Sequence, residues 1–248
     1  MMLNKKIITY ELCGSLFKNR KSYENYIYNM VVTNKIKKIK KDLYALINPL
    51  TNNIYAYKYE IASSISNTSY ISYHSALEYY GLANQVYSYV IVSSITRFRN
   101  FEFDGIDYNF KSTNNSYMVN EISHIKVTSL EKTIIDCIDR IDLAGGIDEL
   151  LEALDLVEYV DEKELLKALD FYNKKILYRK AGYILSFYKD DLNLSNTFFE
   201  MCYKHVNNNK FYFLDEEYYE LEFDKKWNLF VPKNLFNFRD GGIIDELY

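Results

Sequence analysis

The sequence has few cysteines and no long apolar run, and both absences narrow the class of protein. Its 248 residues include only Cys13, Cys137 and Cys202, which lie far apart and form no C-x-x-C pair. This spacing argues against a disulfide framework or a structural zinc site, so we expect free thiols in a reducing compartment. There is no signal-peptide pattern and no apolar run of about 18 residues, the length that spans a membrane. The sequence therefore predicts a soluble, cytoplasmic protein that inserts into no membrane.

Charge is distributed unevenly along the chain. Residues 1–48 carry ten Lys and Arg against three Asp and Glu, a balance of +7. Residues 49–248 carry 20 basic and 31 acidic side chains, a balance of −11. A basic segment of this kind is typical of a module that meets a polyanion, whereas the acidic remainder repels one on average. This polarity predicts a small nucleic-acid-binding module joined to a larger domain.

Residues 22–46 have the pattern of a DNA-recognition helix followed by a basic β-hairpin, or wing. In a helical projection, one face carries the side chains expected to be buried: Tyr23, Ile27, Met30, Val31 and Asn34. The outer face, which can enter a DNA groove, carries four others: Lys21, Asn25, Tyr28 and Asn29. The pattern therefore favours a helix with a polar surface available to DNA.

The wing is predicted from the alternation that follows this helix. Apolar side chains recur at Ile36, Ile39, Leu43 and Leu46, and a turn is expected at Lys41-Asp42. Four lysines cluster near that turn: Lys37, Lys38, Lys40 and Lys41. A strand–turn–strand with a lysine-rich tip suits a phosphate backbone. A lysine-rich solvated hairpin explains the same pattern, so both interpretations stay open.

The segment before the recognition helix completes a helix-turn-helix outline. Thr9 can cap a short helix over residues 10–17, and residues 18–21 form a polar turn. The opening MMLNKKII leaves little room for the further helix that usually precedes a winged module. We therefore expect a winged helix-turn-helix that is shortened at its N-terminus.

A turn-rich junction at residues 48–53 predicts the domain boundary. We expect a winged helix-turn-helix domain over residues 1–53 and a larger α+β domain over residues 54–248. Two helices, residues 57–65 and 72–80, open the second domain, with Ser72 as an N-cap and Gly81 as a stop. Four strands follow, at residues 86–93, 97–103, 106–111 and 124–127. Asp104-Gly105 suits a two-residue hairpin turn, and we expect a largely antiparallel sheet.

The second half of the chain predicts a helical layer. Thr128 and Glu131 match a capping box, and the helix behind it is expected to bury five side chains: Leu130, Ile134, Cys137, Ile138 and Ile141. Capping, ion pairing and solvation explain its polar residues: Glu131, Asp136, Asp139 and Arg140. Further elements are expected as helices at residues 147–154, 161–172, 175–188 and 196–206, and as strands at residues 211–214, 218–223 and 227–231.

Two motifs that resemble parts of enzyme sites are incomplete. Gly14-Ser15 resembles the start of a nucleotidyltransferase motif, which needs a D-x-D shortly afterwards, and no Asp occurs before Asp42. Asp224-Lys225-Lys226 resembles the D-x-K end of a metal nuclease site, but a hairpin turn explains it and no catalytic Asp lies on a matching upstream strand. We therefore predict no catalytic residues, no cofactor and no metal.

Five segments are spread along nearly the whole chain: IKKIKKDLYAL, YISYHSALEYYGLANQV, KVTSLEKTIIDCIDRIDLAGGIDELLEAL, LYRKAGYIL and KWNLFVPKNL. Within them, SLEKTIIDC with LAGG behind it and the YHSALEYYGL helix are fairly specific in combination. Together they resemble the AbiEi family of antitoxins from bacterial abortive-infection (type IV toxin-antitoxin) systems. The resemblance implies an N-terminal winged helix-turn-helix that represses the operon promoter at inverted repeats. It also implies a C-terminal domain that counteracts a nucleotidyltransferase-fold toxin encoded nearby, with no stable complex required.

The resemblance assigns DNA contact to seven residues by position: Lys21, Asn25, Asn29, Lys37, Lys38, Lys40 and Lys41. It assigns no catalytic residue. Two other functions stay open beside the autorepressing antitoxin. The first is a protein-interaction antitoxin that binds its toxin directly without useful DNA binding, which co-purification of the pair would reveal. The second is an enzyme, whose support is limited to carboxylates that packing explains.

Overall fold

The computed structural model describes residues 6–214, 220–233 and 235–236. They form an α+β protein, and the chain divides into two compact units, Met1–Thr133 and Ile134–Tyr248. The expected α+β class is therefore confirmed. The division lies far beyond residue 53, where the sequence predicted a domain boundary.

The first unit begins with a small antiparallel sheet and the helices packed on it. In chain order the elements are β1 (Ile7–Thr9), α1 (Tyr10–Cys13), a 3-10 turn (Gly14–Leu16), α2 (Arg20–Val32), β2 (Ile36–Lys40) and β3 (Leu43–Leu46). The strand order is β1-β3-β2. Thr9 caps α1 as predicted, accepting a hydrogen bond from the Leu12 amide at 3.1 Å. The helix expected over residues 10–17 is shorter, because its second half tightens into the 3-10 turn.

Both faces of this small sheet are buried, each in a different core cluster. Ile8 and Ile36 pack against α2, whereas Ile7, Leu43 and Ala45 join a second core. Alternate residues of a strand point to opposite faces, so a sheet with apolar residues on both faces needs a layer on each side. The outer layer is supplied by residues beyond the predicted boundary, Ala56 and Ile61 among them. Residues 6–53 therefore share a core with the chain that follows.

Two short helices follow the small sheet, α3 (Lys58–Ser63) and α4 (His74–Tyr79). The prediction that Ser72 caps the second helix is wrong. Ser72 follows a short strand, and its buried hydroxyl hydrogen-bonds the Ser93 hydroxyl at 2.7 Å. Tyr73, in a left-handed conformation with φ 55°, is the residue that precedes α4. Gly81, with φ 75°, follows the end of α4, as the sequence predicted.

A six-stranded mixed sheet completes the first unit within the described residues. Its strands are β4 (Tyr70–Ile71), β5 (Tyr89–Ser94), β6 (Phe101–Phe103), β7 (Ile106–Ser112), β8 (Val119–Ile122) and β9 (Ile125–Thr128), in the order β6-β7-β5-β4-β9-β8. Three of its five strand pairs are antiparallel, whereas β5–β7 and β4–β9 are parallel, so the sheet is mixed. Asp104 and Gly105, with φ 51° and 75°, form the predicted turn between β6 and β7.

The helix α5 (Leu130–Asp139) begins one residue later than the predicted capping box requires. The Ser129 hydroxyl accepts the Lys132 amide at 3.2 Å and is the cap. Thr128 instead ends β9, paired with Val119, and its buried hydroxyl lies 2.7 Å from that of Thr133. The Thr128 hydroxyl therefore contacts Thr133, while Ser129, directly before the first helical residue, supplies the cap. The predicted burial of Ile134, Cys137 and Ile138 is confirmed, while Leu130 and Ile141 are half-buried.

The second unit contains the remaining helices and a three-stranded sheet. The elements are α6 (Ile147–Asp155), α7 (Glu162–Tyr172), α8 (Lys175–Ser186), α9 (Asn196–Tyr203), β10 (Phe211–Tyr212), β11 (Leu221–Asp224) and β12 (Leu229–Pro232). Asp161 and Ser195 are N-caps as predicted. The Asp224 carboxylate accepts the Trp227 amide at 2.6 Å, which confirms a turn there. The start of the strand predicted over residues 218–223 lies outside the described residues.

Asp136 has a different environment from the solvated one that the sequence predicted. Only 3% of this residue is exposed, and its carboxylate accepts a hydrogen bond from the Tyr172 hydroxyl. Cys13, Cys137 and Cys202 are buried and form no disulfide, and burial raises the pKa of the Cys202 thiol to about 12. Across the described ranges, no helix is long and apolar enough to cross a membrane, and no group of three His, Cys, Asp or Glu residues could hold a metal ion.

Candidate nucleic-acid interface

The outward face of α2 is available to a ligand. Tyr23, Ile27 and Met30 are buried on the opposite face, as the helical projection predicted. The four residues predicted to point outward are exposed: Lys21, Asn25, Tyr28 and Asn29. Within the described part of the chain, neither Asn25 nor Asn29 forms a side-chain hydrogen bond. Their amide groups can therefore both donate to and accept from a base edge.

Two residues expected on the buried face lie elsewhere. Val31 is 39% exposed, and Asn34 lies beyond the end of α2 with φ 52°. The helix ends at Val32, so the projection no longer applies to residue 34. The Asn34 side chain instead donates to the Asn52 side-chain oxygen at 2.8 Å, tying the turn after α2 to the loop that follows β3.

The N-terminal half of α2 is anchored by a cap and by aromatic packing. The Asn19 side chain accepts the Ser22 amide at 2.9 Å and so closes the first turn. The buried Tyr23 ring lies edge-on to Tyr10 and Phe17, with ring centroids 5.1 Å and 5.4 Å away. Burial raises the pKa of Tyr23 above its usual value, so its hydroxyl stays neutral. These contacts hold the exposed face in one orientation.

The strands β2 and β3 form the predicted hairpin. Lys40 pairs with Leu43 across the two-residue turn Lys41-Asp42, and the pairing is irregular between Lys38 and Lys40. Asp42 has φ 62°, a left-handed conformation that Asp, Asn and Gly adopt most readily. The predicted turn position is therefore confirmed.

The four hairpin lysines do not share one face of the small sheet. Directly paired residues of neighbouring strands have side chains on the same face. Lys38 pairs with Tyr44, which packs on the α2 side, whereas Lys37 pairs with Ala45, which packs in the second core. Lys38 therefore lies on the same side of the sheet as α2, and Lys37 lies on the opposite side.

The side chains of Lys37 and Lys40 contact the β6–β7 hairpin and the segment before it. The Lys37 ammonium forms an ion pair with Asp104 and lies 4.9 Å from the Phe103 ring centroid. The Lys40 ammonium lies 5.0 Å from the ring centroids of Phe98 and of Phe101. Burial lowers the pKa of Lys40. Both lysines thus make cation–π contacts inside the first unit.

Lys38 and Lys41 have a different environment from Lys37 and Lys40. Both are exposed, and neither forms an ion pair with any residue that the structure describes. The structure therefore separates the four predicted wing contacts into two pairs. Lys38 and Lys41 are exposed, whereas Lys37 and Lys40 contact the β6–β7 hairpin and the segment before it.

Arg20, which the sequence prediction omitted, joins α2 to the turn of the hairpin. Its Nη2 atom donates to both carboxylate oxygens of Asp42 at 2.7 Å, and its Nε donates to Glu24 at 3.0 Å. The guanidinium carbon lies 4.3 Å from the Tyr10 ring centroid. Hydrogen bonds to Asp42 and then Glu24 raise the pKa of Arg20. No local pattern links residue 20 to residue 42, so sequence reasoning had no signal for this contact.

The described residues define the protein as an α+β chain with a small three-stranded sheet, a six-stranded mixed sheet and a helical second unit. Neither a protein-family model nor a curated protein matches the chain. Its fold is similar to the crystal structure of the RV2827C protein from Mycobacterium tuberculosis, with a TM-score of 0.63 and 12% identity over 96% of this chain and 91% of that chain. At this identity the similarity shows a shared fold alone.

Proposed function

We propose that this chain is a DNA-binding antitoxin that represses its own promoter and counteracts a nucleotidyltransferase-fold toxin encoded nearby. The observation that carries the DNA-binding part is the arrangement of α1, α2 and the β2–β3 hairpin around a sheet with β3 in its centre. This order supports a winged helix-turn-helix. In it, α2 is the recognition helix and the β2–β3 hairpin is the wing.

The contacts divide by chemistry between the helix and the wing. Asn25 and Asn29 lie one turn apart on the exposed face of α2, and an Asn amide can make a bidentate contact with adenine. Lys21, Lys38 and Lys41 supply ammonium groups for phosphates, which set affinity rather than sequence preference. We assign Lys37 and Lys40 to packing against the β6–β7 hairpin. This narrows the seven predicted DNA contacts to five.

The antitoxin part rests on the resemblance to the AbiEi family, which no family model reproduces. What supports it from the chain itself is the contrast between the basic N-terminal segment and the acidic remainder. An acidic second unit is poorly suited to DNA and leaves that part of the chain for another role. An antitoxin that binds its toxin directly, without useful DNA binding, is the alternative.

The first experiment measures binding of the full chain to a DNA duplex from the region upstream of its gene. We expect preference for that duplex over a scrambled one, with affinity that falls steeply between about 50 mM and 200 mM salt. Asn25→Ala with Asn29→Ala should reduce the preference while leaving binding to scrambled DNA almost unchanged. Equal affinity for both duplexes at all salt concentrations would contradict a repressor.

The second experiment separates the two antitoxin mechanisms in cells that express the adjacent toxin. The Asn25→Ala/Asn29→Ala chain should rescue growth while failing to repress a promoter reporter, at protein levels matched by blot. Stable co-purification of the chain with the toxin would favour the direct-binding alternative. Loss of rescue by this variant would mean that neutralisation also works through DNA.

A further inference from the structure

The contact between Arg20 and Asp42 links two elements that DNA would meet together. Arg20 is the first residue of α2, and Asp42 is the second residue of the wing turn. Because Lys21 follows Arg20 and Lys41 precedes Asp42, the contact also brings two proposed phosphate contacts to the same end of the module. The two hydrogen bonds of 2.7 Å therefore span a junction between otherwise separate phosphate-binding groups.

The turn itself does not require the carboxylate of Asp42. A left-handed residue at this position can be Asp, Asn or Gly, since each tolerates a positive φ. Asn has nearly the same shape as Asp and the same turn preference, but it lacks the negative charge. What Asp42 adds over an asparagine at the same position is thus the charge-assisted contact with Arg20.

We infer that the Arg20–Asp42 pair fixes the angle between the wing and α2, and thereby positions Lys38 and Lys41 on the DNA backbone. This inference rests on the proposed function and makes both members of the pair positioning residues. Neither is required to touch DNA. The Tyr10 ring packs beneath the guanidinium on the helix side of the junction.

A purely electrostatic view of the same residues predicts the opposite result. Asp42 carries a negative charge at a tip that faces phosphates, so removing that charge would strengthen binding. Replacing Arg20 by Lys keeps the positive charge and would leave binding unchanged. If the pair positions the wing, both substitutions weaken binding. Asn lacks the negative charge of the Asp42 carboxylate, and Lys lacks the planar guanidinium that stacks on Tyr10 while it reaches Asp42.

The experiment compares Asp42→Asn and Arg20→Lys with a matched control, Glu24→Gln. Glu24 is the other carboxylate that Arg20 contacts, but it lies on α2 itself, so its replacement leaves the link to the wing intact. Glu24→Gln and Asp42→Asn change the net charge equally. Affinity for the upstream duplex is measured for the full-length chain over a range of salt concentrations.

We expect Asp42→Asn and Arg20→Lys each to lower affinity by about two- to fivefold, the range that an exposed ion pair can contribute. The negative slope of log K against log salt should become less steep by about 0.9 for each phosphate that the wing no longer reaches. Glu24→Gln should bind as tightly as the unaltered chain or more tightly. In the absence of DNA, amides of residues 38–44 should exchange hydrogen faster in Asp42→Asn than in Glu24→Gln.

Each outcome bears on one of the two proposals. Tighter binding by Asp42→Asn, or unchanged wing exchange in that variant, overturns the positioning role. Amide hydrogen exchange is measured without DNA. It therefore tests whether the Arg20–Asp42 pair stabilises the wing independently of DNA binding. If the unaltered chain fails to bind the duplex even at low salt, the proposed function is overturned and the positioning role falls with it.

Discussion

The division of the wing lysines into two pairs makes a prediction that charge alone does not. Lys38→Ala/Lys41→Ala removes the two exposed ammonium groups, and Lys37→Ala/Lys40→Ala removes the two that contact the β6–β7 hairpin. Both double substitutions change the net charge by the same amount. A general attraction between DNA and a basic segment would therefore weaken to a similar degree in both variants.

The structure predicts different magnitudes for the two pairs. The slope of log K against log salt is negative. Removing two phosphate-binding ammonium groups should make it less steep by about 1.8, at about 0.9 for each group. Lys37→Ala/Lys40→Ala should leave that slope nearly unchanged, because neither ammonium reaches a phosphate. It should lower the free energy of unfolding instead. The exposed ion pair with Asp104 contributes about 0 to 1 kcal/mol, and each cation–π contact at an exposed site about 0.5 to 1 kcal/mol.

Two assays on the same preparations test this division. Fluorescence anisotropy with the labelled upstream duplex gives the salt slope, and urea unfolding gives the stability. We expect the first variant to change only the slope and the second to change mainly the stability. An equal fall in slope for both variants would refute the reasoning, since all four lysines would then contact DNA. An unchanged slope in both would remove the wing from the interface.

Three further predictions concern the rest of the chain. Ser129→Ala should lower the free energy of unfolding by about 0.5 to 2 kcal/mol in urea titrations, because the Lys132 amide loses its cap; an unchanged stability would mean that another acceptor replaces it. Gly182→Ala should cost about 1 to 3 kcal/mol by the same assay, since a Cβ would lie 2.2 Å from the Trp227 ring, and a neutral result would show that the ring moves aside easily. With its pKa raised to about 12, the buried Cys202 thiol should react with a thiol reagent at pH 8 only after unfolding, and rapid reaction of the native protein would contradict its burial.

The shared core of the first unit determines how the two proposed activities can be separated. Removal of residues 1–53 would take Ile7, Leu43 and Ala45 out of a core that also contains Ala56 and Ile61. Each apolar side chain removed would expose its neighbours to water. Point substitutions on α2 are therefore the better means of separating repression from toxin neutralisation.

Features that depend on a few neighbouring residues were predicted well from the sequence. Thr9, Asp161 and Ser195 cap the helices expected of them, and turns form at Lys41-Asp42 and Asp104-Gly105. In each case the side chain or the φ preference acts within one turn of the chain. The prediction at Thr128 was wrong by one residue because β9 extends to Thr128 through its pairing with Val119, and the helix begins only at Leu130.

By itself, the sequence determined the exposed polar face of α2, the position of the β2–β3 turn and the segregation of charge. These features follow from the periodicity and composition of the sequence, because interactions between residues close in sequence determine them. The tertiary structure alone decided which lysines are available, because Asp104, Phe98 and Phe101 are far from the wing in sequence. It also decided that Arg20 meets Asp42, and that the small sheet is covered on both faces. Contacts between distant segments depend on how layers pack, and no local pattern records that packing.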